Sequence, residues 1–259
     1  MKKAIYSVSL LSAVAALLML SMPVYASEMD SRIESTARKS YVFTTYLQRD
    51  DIRIESKDGV VTLTGIVADQ DNKSLAQETV AGLPGVKSVD NRLEIKGASP
   101  TANSDAWIRN KVKTTLLFHR SVSADTTKVE VKDGIVTLRG DALSAAQRDL
   151  TAEYAKDVEG VKGINNEMTV PQTANTTQTV GRKIQIAGEK IDDASITAQV
   201  KMTLLYHRST SALKTKVETN DGVVTMYGKA GSIAEKDLAG KFAGDVNGVK
   251  GVRNRMTIE

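Results

Sequence analysis

An α+β protein built as three tandem αββαβ units, each a three-stranded mixed sheet packed on two helices, is the fold predicted by three observations. First, the segment "SKDGVVTLTG" at Ser56–Gly65 returns as "VKDGIVTLRG" at Val131–Gly140 and as "TNDGVVTMYG" at Thr219–Gly228. Second, each Asp-Gly is followed by another glycine at the same interval of 26 residues, at Gly85, Gly160 and Gly248. An unchanged interval excludes insertions between the landmarks, so structural units of about 65 to 70 residues repeat. Third, apolar stripes of helical period stand before and after each Asp-Gly segment.

The elements of one unit follow in order. Ile108, Val112 and Leu116 in the second copy match Ile196, Val200 and Leu204 in the third, at i, i+4, i+8, with Ser104 or Asp192 able to cap the helix start. Ile33, Ala37 and Tyr41 hold that place in the first copy. Alternating pairs come next: Ile52 and Ile54, Val129 and Val131, Val217 and Thr219, then the β-branched runs "VVTL", "IVTL" and "VVTM". Asp58-Gly59, Asp133-Gly134 and Asp221-Gly222 between them are the pair a type I′ hairpin wants, since both central residues need positive φ. Turn chemistry accounts for these aspartates better than acid catalysis does. A second helix carries Leu75, Thr79 and Leu83, or Leu150, Tyr154 and Val158, or Leu238, Phe242 and Val246. The closing strand reads "VDNRLEI", "INNEMTV" or "VRNRMTI", with Asn91, Asn166 and Asn254 in one register. Such an amide suits a backbone hydrogen bond near the junction of helix and strand. One face of each sheet is expected to be bare or covered by a neighbouring copy.

The domain plan is then 27–97, 104–171 and 191–259. The repeat spacing is 75 residues from the first copy to the second and 88 to the third, so the additional 13 lie in the second connection. That connection, 172–190, has Val180, Ile184, Ala187 and Ile191 at helical spacing, which predicts a short amphipathic helix. Residues 1–26 read as a signal peptide: Lys2 and Lys3, an apolar run from Ile5 to Met22, and "VYA" at Val24–Ala26 before a cut after Ala26. No later segment is apolar enough to cross a bilayer. The chain has no cysteine, which excludes disulfides, thiol catalysis and thiolate metal sites. Net charge is +4, or +2 without the two leader lysines, too little for a strong nucleic-acid trap.

The combination of "DGVVTLTG" with "GVKSVDNRLEI", one helix between them and one ahead, resembles the BON domain, and the resemblance covers almost the whole chain after residue 26 as three copies. It implies a non-enzymatic periplasmic protein that binds anionic phospholipid surfaces or keeps unfolded envelope proteins soluble under osmotic or envelope stress. Periplasmic members are usually described with two such domains, and the third copy is a departure. The alternative reading is a multivalent scaffold for periplasmic proteins.

Neither catalytic nor cofactor residues are expected: no phosphate loop, nucleophile elbow or zinc spacing occurs. The only histidines, His119 and His207, stand in matching "LLFHRS" and "LLYHRS" segments. Ending a helix is the simpler role for each, because a cation there complements the helix dipole and no ligand cluster lies nearby in sequence. Trp107, Arg109, Lys111, Lys113 and Arg120, with Lys201, His207 and Arg208, form the candidate lipid or partner surface beside Phe118 and Tyr206. The competing reading of the same residues is a solvated helix face with its aromatics in the core.

Overall fold

The computed structural model of the chain describes residues 27–171, 190–210 and 215–259. The expected leader at 1–26 and the stripe of Val180, Ile184 and Ala187 lie outside the described residues.

All three copies have the αββαβ order. In the first, helix α1 (27–39) runs into a π-helical turn at Val42–Tyr46, followed by strands β1 (Asp51–Lys57) and β2 (Val60–Val67), helix α2 (Gln70–Ala81) and strand β3 (Ser88–Ile95). The second has α3 (Asp105–Phe118), β4 (Lys128–Lys132), β5 (Ile135–Arg139), α4 (Ala145–Lys156) and β6 (Gly163–Asn166). The third has α5 (Asp193–Tyr206), β7 (Thr215–Asn220), β8 (Val223–Ala230), α6 (Ile233–Gly244), β9 (Gly251–Asn254) and β10 (Thr257–Ile258).

Each Asp-Gly forms a two-residue turn, with φ of 55° and 81° at Asp58 and Gly59, 54° and 81° at Asp133 and Gly134, and 49° and 78° at Asp221 and Gly222. The hairpins pair antiparallel, and the closing strand joins the second hairpin strand in parallel, as Val60↔Ser88, Ile135↔Gly163 and Val223↔Gly251. A parallel partner cannot follow by a tight turn, so the second helix makes the crossover. A glycine stands near the end of each second hairpin strand, Gly65 and Gly228 inside it and Gly140 just past it; a Cβ at Gly65, where φ is +119°, would stand 1.9 Å from the Asp51 carbonyl oxygen. Only glycine fits that approach.

Two side-chain staples recur that hold the elements together. An aspartate in the first turn of the leading helix accepts both turn N–H groups: Asp105 from Asp133 (2.8 Å) and Gly134 (2.9 Å), Asp193 from Asp221 and Gly222 (2.8 Å each), and Asp30 likewise. The closing-strand asparagine ties strand to crossover helix. Asn166 Nδ2 donates to the Arg148 carbonyl (3.0 Å) while its Oδ1 accepts from Met168 N (3.2 Å); Asn91 and Asn254 repeat this with Lys73 and Lys236.

The inner sheet faces carry Ile54, Leu63, Val136, Leu138, Val224 and Met226, all buried under the helices. The outer faces stay open, with Arg53, Glu55, Glu130, Lys216 and Glu218 exposed. Neighbouring copies therefore cover helices and leave the bare sheet faces to solvent. In α5, eleven of 14 residues are buried. Ile196, Val200 and Leu204 join a core shared by the second and third domains, while Ala194, Ala198, Met202 and Tyr206 join the core of the first. Along the first copy's leading helix, Ile33 and Ala37 are buried and Val42 takes the next core position in place of the expected Tyr41, the helix being interrupted by a bend at Ser40 ahead of the π turn. The N–H groups of Tyr41 and Val42 donate to Asp192 Oδ2 (2.7 Å) and Ser195 Oγ (3.1 Å) of the third domain.

Replacing Asn166 by alanine removes two hydrogen bonds at a half-buried strand, and a loss of about 1 to 3 kcal/mol is expected from the urea midpoint, with an unchanged far-UV spectrum.

Candidate functional site

The most concentrated chemistry lies where the second and third domains meet. After α3, the chain leaves the helix and His119 pairs antiparallel with Val246; after α5, His207 pairs the same way with Val158. Arg120 N donates to the Asp245 carbonyl (2.9 Å) and Arg208 N to the Asp157 carbonyl (2.8 Å). All these residues recur at the 88-residue spacing, so the two domains exchange equivalent contacts.

Both imidazoles are fully buried here, with their Nε2 atoms 3.2 Å apart. His119 stacks on Tyr154 and His207 on Phe242, with ring centroids 3.9 and 3.8 Å apart. His207 Nδ1 lies 3.0 Å from Asp157 Oδ2, and an ionised carboxylate only accepts, so this nitrogen carries the hydrogen. His207 Nε2 is then the acceptor and His119 Nε2–H the donor. With both rings neutral, that leaves His119 Nδ1 without a hydrogen. It lies 3.2 Å from Asp245 Oδ2, out of line for a hydrogen bond, and is a buried nitrogen without a partner. Asp245 accepts from the Ser121 hydroxyl and from Tyr154 OH (2.8 Å), and Asp157 from the Ser209 hydroxyl. Arg120 reaches the carbonyls of Val249 (2.9 Å) and Gly244 (2.6 Å).

Burial pushes both carboxyls up, but the hydrogen bonds from His207 and Ser209 outweigh it at Asp157. At Asp245 the contacts of His119, Ser121 and Tyr154 do the same, so both acids are held below the ordinary aspartate value. Burial holds His207 below the usual histidine range, with the neighbouring His119 adding to it against the pull of Asp157. The Tyr154 phenol is pushed far up by burial and by Asp245, which keeps it a donor.

A second polar knot joins all three domains. Asp71 of α2 is buried and accepts from Lys111 Nζ (2.7 Å) and Thr114 (3.2 Å) of α3 and from Tyr206 OH (2.8 Å) of α5. Lys111 also stands 3.7 Å from the Tyr206 ring centroid.

The eight residues expected to form one lipid or partner surface are spread over different environments. Trp107 is half-buried against the shared core, and Lys111 is in the Asp71 knot. Lys201 pairs with Glu78 of the first domain at 2.7 Å. His207 has no solvent contact, and Arg120 and Arg208, though half-exposed, clamp the domain junction. Phe118 and Tyr206 are buried between domains. Arg109 and Lys113 are exposed, with the exposed Leu117 on the same α3 face. The hairpin residues Asp58, Gly59, Asp133, Gly134, Asp221 and Gly222 are turn residues at the sheet ends. Asp157, Asp245 and Asp71 were not singled out from the sequence. Asp157 and Asp245 do share the 88-residue spacing of the histidines, a signal that was legible. Between α4 and α6 a cavity of about 380 Å³ is lined by Leu150, Tyr154, Leu238 and Phe242, with Lys156, Lys241 and Arg208. Among the described residues no group of three or more His, Asp or Glu is placed to hold a metal.

The family model of the BON domain matches residues 29–97, 104–172 and 192–259. Among curated relatives, osmotically-inducible protein Y of Escherichia coli is 33% identical over 152 residues, which is 59% of this chain and 71% of that protein. The 21 kDa hemolysin of Actinobacillus pleuropneumoniae is 32% identical over 115 residues, 44% of this chain and 59% of that protein. Outer membrane lipoprotein DolP of Haemophilus influenzae is 28% identical over 141 residues, 54% of this chain and 66% of that protein.

The junction carboxylates make the acid limb of stability specific. With folded-state affinity for protons lowered, Asp157 and Asp245 contribute fully above the ordinary aspartate value of about 3.9, and that contribution is lost as pH falls through their lower folded values. Urea midpoints measured from pH 5 to pH 2 are expected to fall less steeply for Asp157→Asn and Asp245→Asn than for the unaltered chain. At the other knot, Asp71→Ala leaves the largely covered Lys111 without its counter-charge and is expected to cost about 3 kcal/mol in the same assay.

Proposed function

Because the chain belongs to the BON domain family, we propose that it acts in the bacterial envelope under osmotic or envelope stress, as a non-enzymatic protein that holds anionic phospholipid surfaces. Export to the periplasm through the leader at 1–26, cut after Ala26, is part of this reading. Support comes from relatives named for osmotic induction and for the outer membrane. Among the described residues no helix is long and apolar enough to cross a membrane, so contact with a bilayer would be made at its surface.

The observation that carries the lipid reading is the outward stripe of α3. Arg109, Lys113 and Leu117 follow one another at four-residue spacing, all exposed, and among the described residues none of the inter-domain ion pairs uses the two cations. Basic side chains beside an apolar one suit a leaflet of anionic headgroups, where each cation near the surface is worth about 1 kcal/mol. A second reading, in which unfolded envelope proteins are held, is favoured by the groove of Leu150, Tyr154, Leu238 and Phe242 between α4 and α6.

Co-sedimentation with vesicles containing phosphatidylglycerol, at low and high salt, tests the first reading. Arg109→Ser and Lys113→Ser are each expected to weaken low-salt binding about fivefold, with little change in the urea midpoint. Equal binding of the double variant, or no binding by the unaltered chain at either salt level, overturns it. Suppression of aggregation of an unfolded outer-membrane protein, reduced by Leu238→Ser, would favour the second.

A further inference from the structure

We infer that His119 and His207 form an acid-sensitive latch between the second and third domains, closed while at most one hydrogen lies between their facing Nε2 atoms and opened when both atoms carry one.

The geometry defines three proton states. With both rings neutral, one hydrogen lies between nitrogens 3.2 Å apart and His119 Nδ1 faces Asp245 bare, the orphan already described. A first added proton goes to that Nδ1. That makes an ion pair with Asp245 Oδ2 at 3.2 Å, and the two rings then hold one positive charge between two carboxylates. A second proton must go to His207 Nε2. Two N–H groups then point at each other where only one hydrogen fits, with no acceptor within the stack of Tyr154, His119, His207 and Phe242. The rings have to part. Arg120 and Arg208, next in the chain, make the backbone bonds that cross the junction, so separating the rings strains those bonds directly.

The charged groups around the pair act in the same sense. Asp245 and Asp157 face the two Nδ1 atoms, and Tyr154 OH is engaged with Asp245. Glu153, Lys156 and Lys241 line the cavity beside the stack, and the Arg120 and Arg208 guanidiniums bracket it. Two carboxylates balance one imidazolium well, but a second faces two arginines and another cation inside a buried site. The depressed proton affinity of His207, due first to burial, points the same way. For a histidine so depressed, the unfolded chain protonates first as pH falls, so its stabilising contribution is complete above about pH 6.5 and is lost below it.

Amide hydrogen exchange on the full chain from pH 7.5 to 4.5, corrected for intrinsic rates, tests the latch. The N–H groups of Arg120, Arg208 and Asn247 donate across the junction and are expected to lose protection at least tenfold below pH 6.5, while hairpin amides of the first domain keep theirs. In the His119→Phe/His207→Phe variant the loss should vanish. Unchanged protection at pH 4.5, or an identical loss in a folded variant, overturns the proposal. Should the variant not fold, ring nitrogen resonances of the unaltered chain decide. Two coupled steps, the second more acidic than an ordinary histidine, support the latch; two independent titrations near pH 6.5 with unmoved junction amides refute it.

Discussion

Helix α5 has apolar residues on two opposed faces, and the arrangement of the domains depends on covering both. Residues 196, 200 and 204 point to its own sheet and the second domain, and residues 194, 198, 202 and 206 to the first. A helix apolar on nearly all sides is stable in water only when packed on nearly all sides. The first domain meets this demand with α2, whose C-terminal end at Gly82 packs against Ala194. It also supplies the N–H groups at its π turn. The second-domain helix α3 has the same place in its unit but buries only five of 14 residues, so it keeps an outer face.

The junction of the second and third domains answers a related problem. Domains of this size bury only about 60% of their unfolded surface and gain from sharing a core. Here the shared core is closed at its rim by polar groups exchanged in a twofold manner. Bringing histidine, aspartate and tyrosine into such a place is costly unless donors and acceptors match. They match except at His119 Nδ1 among the ionisable groups. The exception lies at the centre of the exchange, where both domains contribute and a single proton alters the count of donors.

The same economy limits what the surface offers to a partner. Lys111, Lys201, Arg120 and Arg208 are employed between domains. A salt bridge between docked domains satisfies a cation that would otherwise attract an anionic surface. On α3 the Arg109, Lys113 and Leu117 stripe stays outward, with Leu205 as the exposed counterpart of Leu117 on α5; α1 also keeps Arg32, Lys39 and Met29 exposed.

Order, period and turn were decided locally. The Asp-Gly turns, the four-residue stripes and the alternating strands depend on neighbours within a few residues, and the 26-residue interval marked the repeating unit, so the αββαβ fold of all three domains was legible in the sequence. The register of Asn91, Asn166 and Asn254 was legible as a backbone contact near the junction of helix and strand, and Asp30, Asp105 and Asp193 share a register that a closer comparison of copies could have read. The partners of Lys111, Lys201 and His207 belong to other domains, 40, 123 and 50 residues away. No local pattern specifies how three modules of like topology dock. Only the tertiary structure could turn a helix-ending histidine into half of a buried pair, because burial and proximity are properties of packed surfaces and not of the segment that carries the residue.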